Sequence, residues 1–362
     1  AAVTPPSPQG ESTSPPVTPR ARPRARPDGY SAIYAARVPG GAEAPDEADL
    51  LPPGSLDPPQ ARFRVRFHPR GAGVSEVVFS QFWKSVSERI AFEAHERAVR
   101  AGRTPPPLPP DSERYVLQTL QRFGSTTIPL LAAIDVNVDG EQVKLLDDVW
   151  SQVSPGVFAT EIVDLDEGSL VARIERRFEV TGAVDGFGAG YNLRLLHRIE
   201  NHTGAEVPVR LSQCGPGDLT LETALFMDTR RFQFGYLYSP QRDPSRQAVI
   251  VHGATEERSE VLSRIDAGNN LLWPTPAQRE AGYEISWYGT INRYFALAVH
   301  APLEPPQQTS KSLAHAVEQV LVTASPGDPA SRVIFSTLRA PEMRVPARSA
   351  VNLELGVYAG PL

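Results

Sequence analysis

The sequence predicts an all-β fold, a large antiparallel β-sandwich with a few short helices. From about residue 115 onward, short runs rich in Val, Ile, Leu, Phe and Tyr recur at roughly 10- to 15-residue spacing, and turn residues separate them. Strands do not alternate with helix-length segments, which argues against a parallel α/β sheet. Hydrophobic residues make up 41% of the 362 residues, which is enough for a sizeable core.

Composition excludes several functional classes. The net charge is -6, so nothing favours binding to nucleic acid. The single cysteine, Cys214, rules out an intrachain disulfide and makes a thiolate metal cluster implausible. The seven histidines contain no His-x-x-x-His or His-x-His pair, so we expect no metal site and no cofactor.

The N-terminal part differs from the rest of the chain. Residues 1–60 hold over a third of the 36 prolines, almost no aromatic residues and an alternating Arg/Pro/Ala run at 19–27. Such a segment buries too little apolar area to offset its ordering entropy, so we interpret it as an extended linker. Apolar residues reappear at 30–38, where an ordered stretch is expected. The folded domain is predicted to span residues 61–362.

The domain is predicted to begin with a hairpin and a helix. Residues 63–67 alternate apolar and polar side chains, and after the glycine-rich turn at 71–73 a second apolar run covers 74–79. Residues 82–101 have apolar side chains every four positions, and Gly102 with the following proline run ends this predicted helix. The prolines up to Pro110 are interpreted as a surface loop.

The remaining predicted strands share apolar runs bounded by turn chemistry. They cover residues 130–138, 157–163, 170–180, 191–200, 207–214, 232–238, 248–252, 284–288, 293–301, 317–323, 332–338 and 351–358. Residues 271–283 are predicted to be an irregular crossover with a helical turn at 276–281. Residues 313–323 fit both periodicities, and we expect a helical turn that enters a strand.

Catalytic signatures are weak. There is no Gly-x-Ser-x-Gly motif, and Cys214 is expected to be a buried, inert thiol. The glycine-rich residues 186–190 lack the lysine and helix of a phosphate loop, so they are interpreted as a turn. Some large β-sandwiches are sugar enzymes that use Glu or His as general acid and base. The candidates for these roles are Glu200, Glu222, Glu284 and His300. Nothing in their spacing aims two of them at one cavity.

The most informative motif is residues 287–296, Trp-Tyr-Gly-Thr-Ile-Asn-Arg-Tyr-Phe-Ala. It predicts strand, turn and strand: the aromatic residues favour a buried sheet, and Gly289 permits a bulge or turn. Trp287, Tyr294 and Phe295 are expected to pack in the core or on a sheet face, with an aromatic binding cleft as the alternative. Asn292 and Arg293 belong to the same motif and to the alternative binding cleft.

Several motifs together resemble a known family. They are the strand before residues 71–74, the strand entering 201–204, the turn Gly215-Pro216-Gly217, the motif at 287–296 and the closing residues 357–361. Gly215 and Gly217 are expected to supply positive-φ turn geometry. In this order, across residues 62–362, the motifs resemble the periplasmic domain of the bacterial membrane-protein insertase YidC.

That resemblance implies a β-supersandwich of galactose-mutarotase-like type that lies in the periplasm, attached to the inner membrane by transmembrane helices outside this sequence. It implies a non-catalytic scaffold or docking domain, with SecD/SecF-type translocon components and nascent membrane proteins as partners. The alternative is a carbohydrate-binding or mutarotase-like sugar enzyme. An enzyme requires titratable groups with shifted pKa values that converge in one cleft, whereas a docking domain requires an exposed apolar patch or an open sheet edge.

Overall fold

A computed structural model describes residues 29–41, 62–147, 149–180, 190–220, 228–238, 250–302, 312–329 and 331–362. These residues form 22 β-strands and three α-helices, and every pairing between the described strands is antiparallel. The predicted fold class, a large antiparallel β-supersandwich with few short helices, is confirmed. The predicted linker lies mostly outside the described residues, but Tyr34–Arg37 forms an edge strand.

The largest sheet has ten strands. Nine follow one another in the order β1-β10-β11-β12-β22-β18-β17-β14-β15, and β9 pairs with β10 beside this path. The strands are β1 (Tyr34–Arg37), β9 (Ser151–Ser154), β10 (Val157–Asp164), β11 (Leu170–Val180), β12 (Asn192–Asn201), β14 (Arg231–Tyr238), β15 (Ile250–Glu257), β17 (Tyr283–Ile291), β18 (Phe295–His300) and β22 (Ala350–Pro361).

A second sheet has seven strands in the order β16-β19-β20-β13-β7-β8, with β21 beside β13. They are β7 (Ala133–Val138), β8 (Glu141–Lys144), β13 (Val207–Cys214), β16 (Leu271–Trp273), β19 (Gln319–Ala324), β20 (Ile334–Arg339) and β21 (Met343–Val345). A three-stranded sheet contains β2 (Phe63–His68), β3 (Gly73–Trp83) and β4 (Arg114–Thr119), and a small hairpin contains β5 (Gln121–Phe123) and β6 (Thr126–Ile128).

The helices are α1 (Val86–Arg100), α2 (Arg258–Asp266) and α3 (Pro276–Ala281). The predicted helix at 82–101 starts later than expected because β3 continues to Trp83, and Ser85 takes the N-cap position. The helical turn at 276–281 is confirmed, with a Thr275–Gln278 capping box before it. Residues 313–317 form turns that lead into β19, as predicted.

Side-chain alternation positions the strands. On β12 the burial alternates along its whole length, with Leu193, Leu195 and Ile199 in the core. The predicted strand at 130–138 begins only at Ala133, because Leu131 has a positive φ of 57° that interrupts extended backbone. Apolar side chains from the three larger sheets form one continuous hydrophobic cluster.

The three larger sheets meet around one buried charge, Arg176 on β11. Its guanidinium donates to the carbonyl oxygens of Gly71 (2.5 Å), Ala72 (3.0 Å) and Leu131. It also donates to Gln213 Oε1 at 3.1 Å and His197 Nε2 at 3.2 Å. Because Gly71 and Ala72 follow β2 and Gln213 lies on β13, one side chain joins the ten-, seven- and three-stranded sheets.

Candidate functional site

A polar cavity of about 340 Å³ lies on the seven-stranded sheet. Its volume falls at the small end of the range for ligand pockets, which is about 300–1,000 Å³. All of its lining residues are polar or charged: Asp135, Asn137, Gln142, Arg210, Ser212, Arg339 and Glu342. The cavity therefore offers hydrogen-bond donors and acceptors in place of the apolar walls that most ligand pockets have.

Strand register explains how these side chains meet. Ser212 on β13 lies opposite Asp135 on β7 and, on its other side, opposite Arg339 on β20. Residues directly opposite one another in an antiparallel sheet point to the same face, so the three side chains form a row across three strands.

A second row runs parallel to the first. Asn137 on β7 lies opposite Arg210 on β13 and opposite Gln142 on β8. Since Asn137 and Arg210 are two residues from Asp135 and Ser212 respectively, both rows share one face. The neighbouring Val136, Val209 and Leu211 point to the opposite face of the sheet and are buried in the core. Glu342, in the loop between β20 and β21, completes the lining.

Asp135 is the most unusual group in the cavity. Its side chain is buried, and burial raises the pKa of its carboxyl above 3.8. Hydrogen bonds from Ser212 and Gln142 and the charge of Arg339 act in the opposite direction without cancelling this shift. Burial thus shifts the Asp135 carboxyl toward its protonated form relative to a carboxyl in water, which is the direction of shift that a general acid needs.

Asp135→Asn is expected to raise the free energy of unfolding at pH 7. The pKa of Asp135 is higher in the folded than in the unfolded protein. Its contribution to stability is therefore complete only below about pH 3.9, the unfolded pKa, and it is lost as the pH rises through the folded pKa. Asparagine does not ionise, so the variant does not lose stability through this group as the pH rises. Thermal denaturation of both proteins from pH 3 to 7 should show a difference that shrinks with acidification. A variant that is less stable by a constant amount at every pH would contradict this prediction.

The two arginines of the cavity are only weakly paired. Arg210 Nη2 lies 3.8 Å from Glu318, and its buried Nε has no hydrogen-bond partner among the described residues. Arg339 donates to Gln319 Oε1 over a long 3.4 Å. Such guanidinium groups can still donate to oxygen atoms of a bound ligand.

A second polar cluster lies wholly inside the core. Burial and the nearby Arg176 charge hold the pKa of His197 well below its ordinary value, and burial lowers the pKa of Arg176 to about 9. Cys214 is buried beside them, and burial raises the pKa of its thiol to about 12. No substrate can reach these groups, so the cluster is structural, and the prediction of an inert Cys214 is consistent with this position.

The motif at 287–296 forms the β17–β18 hairpin. Asn292 Oδ1 accepts from the backbone N–H of Tyr294 (3.1 Å) and of Phe295 (2.8 Å), which closes the turn. Phe295 is buried, but Tyr294 lies in the turn and is 54% exposed, so the expectation that Tyr294 packs in the core or on a sheet face is wrong. Arg293 is also exposed and lies over the Tyr294 ring at 5.4 Å.

Trp287 is only partly buried and lies on the face of the ten-stranded sheet away from the core. A Cβ added to Gly235 would come within 2.0 Å of Trp287 Nε1, so the indole covers that glycine. The adjacent His300 ring covers Gly356 in the same way. Gly289 makes no turn; it allows β18 to approach closely, because an added Cβ would lie 2.6 Å from Ala298 Cβ.

The predicted positive φ at Gly215 and Gly217 is wrong, since neither glycine is among the positive-φ residues. Close packing explains them instead. Added Cβ atoms would lie 2.5 Å from Ser336 Oγ and 2.8 Å from Gln121 Oε1. Between them, the Pro216 carbonyl accepts from Ser336 Oγ at 2.6 Å.

The acid and base candidates from sequence do not meet. Glu200 pairs with Arg198 at 2.9 Å and with His202 at 3.3 Å on an exposed strand face. Glu284 lies on β17, His300 bonds the Ala301 carbonyl at 2.7 Å, and Glu222 lies outside the described residues. None of the three described candidates lines the polar cavity. Sequence reasoning missed its residues, although a signal existed: Asp135 and Asn137 interrupt an otherwise apolar strand.

The chain matches no protein-family profile and no curated protein. Solved structures do match. A galactose mutarotase related enzyme from Lactobacillus acidophilus is 8% identical with a TM-score of 0.42, over 83% of this chain and 96% of that one. An aldose epimerase homologue from C. elegans is 8% identical with a TM-score of 0.39, over 83% and 96%. A galactose mutarotase-like protein from Lactobacillus casei is 9% identical with a TM-score of 0.36, over 83% and 99%.

These comparisons correct the family prediction. The matching structures carry the names of galactose mutarotase-like and aldose epimerase proteins, and nothing among the findings points to YidC, so the resemblance to the insertase is wrong. The predicted non-catalytic insertase domain is wrong with it, because the matched proteins are named as enzymes or enzyme homologues. The Sec partners and the periplasmic location depended on the same resemblance and stay untested predictions.

None of the helices that the structure describes has both the length and the apolar character needed to cross a bilayer.

Proposed function

We propose that this protein binds a sugar in the polar cavity of the seven-stranded sheet and catalyses proton transfer on it, in the manner of an aldose epimerase. One observation supports this above all: a cavity of about 340 Å³ is lined only by polar side chains, among them a buried carboxyl with a raised pKa. The proposal rests on this cavity, because likenesses of 8 to 9% identity do not establish an activity.

The lining suits a ligand that carries many hydroxyl groups. Asn137, Gln142 and Ser212 can each donate and accept hydrogen bonds, and the two arginines add further donors. A sugar hydroxyl also donates and accepts, so each one finds a complementary group. Apolar molecules would leave these polar groups unpaired, which costs about 1–3 kcal/mol for each buried group.

The cavity also holds the two groups that sugar-ring opening requires. Protonation of the ring oxygen and removal of the proton from the anomeric hydroxyl break the bond between the anomeric carbon and the ring oxygen and form an aldehyde. Reclosure on the other face gives the opposite anomer. Asp135, whose pKa is raised by burial, is the proton donor, and the exposed side chain of Glu342 is the proton acceptor.

Binding and catalysis can be tested separately. We expect calorimetric titration with D-glucose, D-galactose and D-glucuronate to detect binding of at least one sugar, and polarimetry to show faster mutarotation of that sugar. Arg339→Ala should weaken binding at least tenfold. Asp135→Asn should leave binding within a few-fold of the parent but lower the rate by about 10²–10⁴, the usual contribution of general acid catalysis.

Arg344→Ala is the matched control, because Arg344 is 74% exposed in its side chain and pairs with Glu206 outside the cavity. It should change neither binding nor rate. Heat release without faster mutarotation would support the binding site and overturn the catalytic role. No response to any of the three sugars, or a fully active Asp135→Asn variant, would overturn the proposed chemistry.

A further inference from the structure

The segment between α1 and β4 contains an exposed proline run that the proposed sugar chemistry does not use. Residues 103–110 read Arg-Thr-Pro-Pro-Pro-Leu-Pro-Pro and form neither helix nor strand. All of them are exposed except the half-buried Pro109, and Leu108 exposes 50% of its surface. An apolar segment that contributes so little to the core calls for another explanation.

Local sequence restricts this segment to one conformation. Each proline has φ fixed near -65°, and every residue that precedes a proline is confined to extended backbone, which applies to five of the eight residues. Within the described residues the only cis peptide bond precedes Pro274, so these prolines are trans. We therefore infer that the segment is a polyproline II helix of about three residues per turn.

Hydrogen bonds to α1 hold the segment at its start and near its middle, and a local turn follows its end. The Arg103 N–H donates to the Ala98 carbonyl of α1 at 2.9 Å, and the Glu113 N–H donates to the Pro110 carbonyl at 3.0 Å. His95 Nδ1 lies 2.6 Å from the Pro106 carbonyl oxygen and donates to it. The proline helix is thus held against α1.

The anchors determine which edges face outward. With three residues per turn, Pro106 and Pro109 share one edge, and the His95 bond and the partial burial of Pro109 place that edge toward α1. The other two edges remain exposed. One carries Pro107 and Pro110, in Pro-x-x-Pro spacing, and the other carries Pro105 and Leu108.

We propose that residues 103–110 are a preorganised ligand for a partner protein with an aromatic-lined groove that binds polyproline II helices. Grooves of this kind take Pro-x-x-Pro segments between aromatic side chains. Because the segment is already ordered and anchored, binding incurs little further loss of conformational entropy. The exposed Arg103 adds a positive charge beyond one end, so an acidic residue beside the groove would complement it.

The probe is an isolated, isotope-labelled SH3 domain with Pro-x-x-Pro specificity, titrated with the full unlabelled chain and followed by NMR chemical shifts. We expect the groove residues to shift, with an affinity at least threefold tighter than that of a free peptide of residues 101–113. Pro107→Ala combined with Pro110→Ala should weaken binding at least tenfold. His95→Ala should lower the affinity of the chain to that of the free peptide.

Pro346→Ala is the control, since Pro346 is an exposed proline outside the segment. It should bind like the parent, and unchanged melting temperatures will show that all variants are folded. Absence of groove shifts with the full chain would overturn the proposal, whether or not the peptide binds. Equal weakening by Pro346→Ala and by the double substitution would overturn it as well.

Discussion

Arg176→Ala is expected to lower the free energy of unfolding by about 3–10 kcal/mol. The wild-type guanidinium makes five hydrogen bonds, and hydrogen bonds to charged groups contribute about 1.5–3 kcal/mol each. Burial of the charge, which lowers the pKa of Arg176 to about 9, opposes these hydrogen bonds by about 5 kcal/mol. The hydrogen bonds therefore contribute more than the burial of the charge costs. Alanine would also leave the three carbonyl groups that Arg176 binds unpaired beside a cavity.

The neighbouring Arg177→Ala is the matched control. Arg177 has a side chain that is 47% exposed and pairs with Glu175 at 3.4 Å, so its loss should cost less than about 1 kcal/mol. Chemical denaturation of both variants measures the difference. Equal midpoints for the two variants would show that the buried guanidinium does not hold the three sheets together.

Asp218→Ala should be the second most damaging change, at about 3–5 kcal/mol, the usual effect of removing one partner from a buried ion pair. Asp218 is 5% exposed and accepts from Arg258 Nε and from the Ile334 N–H, each at 3.0 Å. Arg230 lies 3.9 Å away. Alanine would remove the closest carboxylate from the buried Arg258, whose next carboxylate, Asp228, lies 3.7 Å away, and would remove the Asp218 link between α2 and β20.

Two further variants separate loss of charge pairing from loss of packing. Asp228 is 36% exposed in its side chain, pairs with Arg230 at 2.7 Å and lies 3.7 Å from Arg258, so Asp228→Ala should cost about 1 kcal/mol, well below Asp218→Ala. Adding Arg258→Met to Asp218→Ala should recover part of the lost stability, because it removes the uncompensated charge. A double variant that is less stable than Asp218→Ala would contradict this explanation, and urea denaturation provides the measurement.

The sequence predicts the inner strands well because their side chains alternate under strong constraint. β11 and β13 have the predicted bounds, and β10 differs by one residue. Short edge or accessory strands such as β8 and β9 were not predicted. Each has four residues and few buried side chains, so pairing with a neighbour, not local pattern, makes them strands.

The candidate site could not be assembled from sequence because tertiary pairing creates it. Asp135, Ser212 and Arg339 are far apart in the chain and become neighbours only when β7, β13 and β20 pair in register. A charged residue between apolar ones in β7 was a usable local signal. The raised pKa of Asp135, however, results from burial, which no local pattern reports.

The motif at 287–296 shows the limit of reasoning from resemblance. It forms strand, turn and strand as predicted, but the turn lies at Asn292 and not at Gly289, which stays within β17. Its family assignment was wrong, because glycine and aromatic residues at such spacing satisfy the packing needs of any large sheet. Trp287 over Gly235 is one such solution.

Because Cys214 is buried, chemical labelling of its thiol can measure how often the sheets separate. The thiol is buried at the end of β13, and a pKa near 12 leaves almost no reactive thiolate at neutral pH. An alkylating reagent can therefore modify it only in molecules whose sheets have separated. With no competing thiol in the sequence, the labelling rate gives the opening free energy of every variant described above without an added dye.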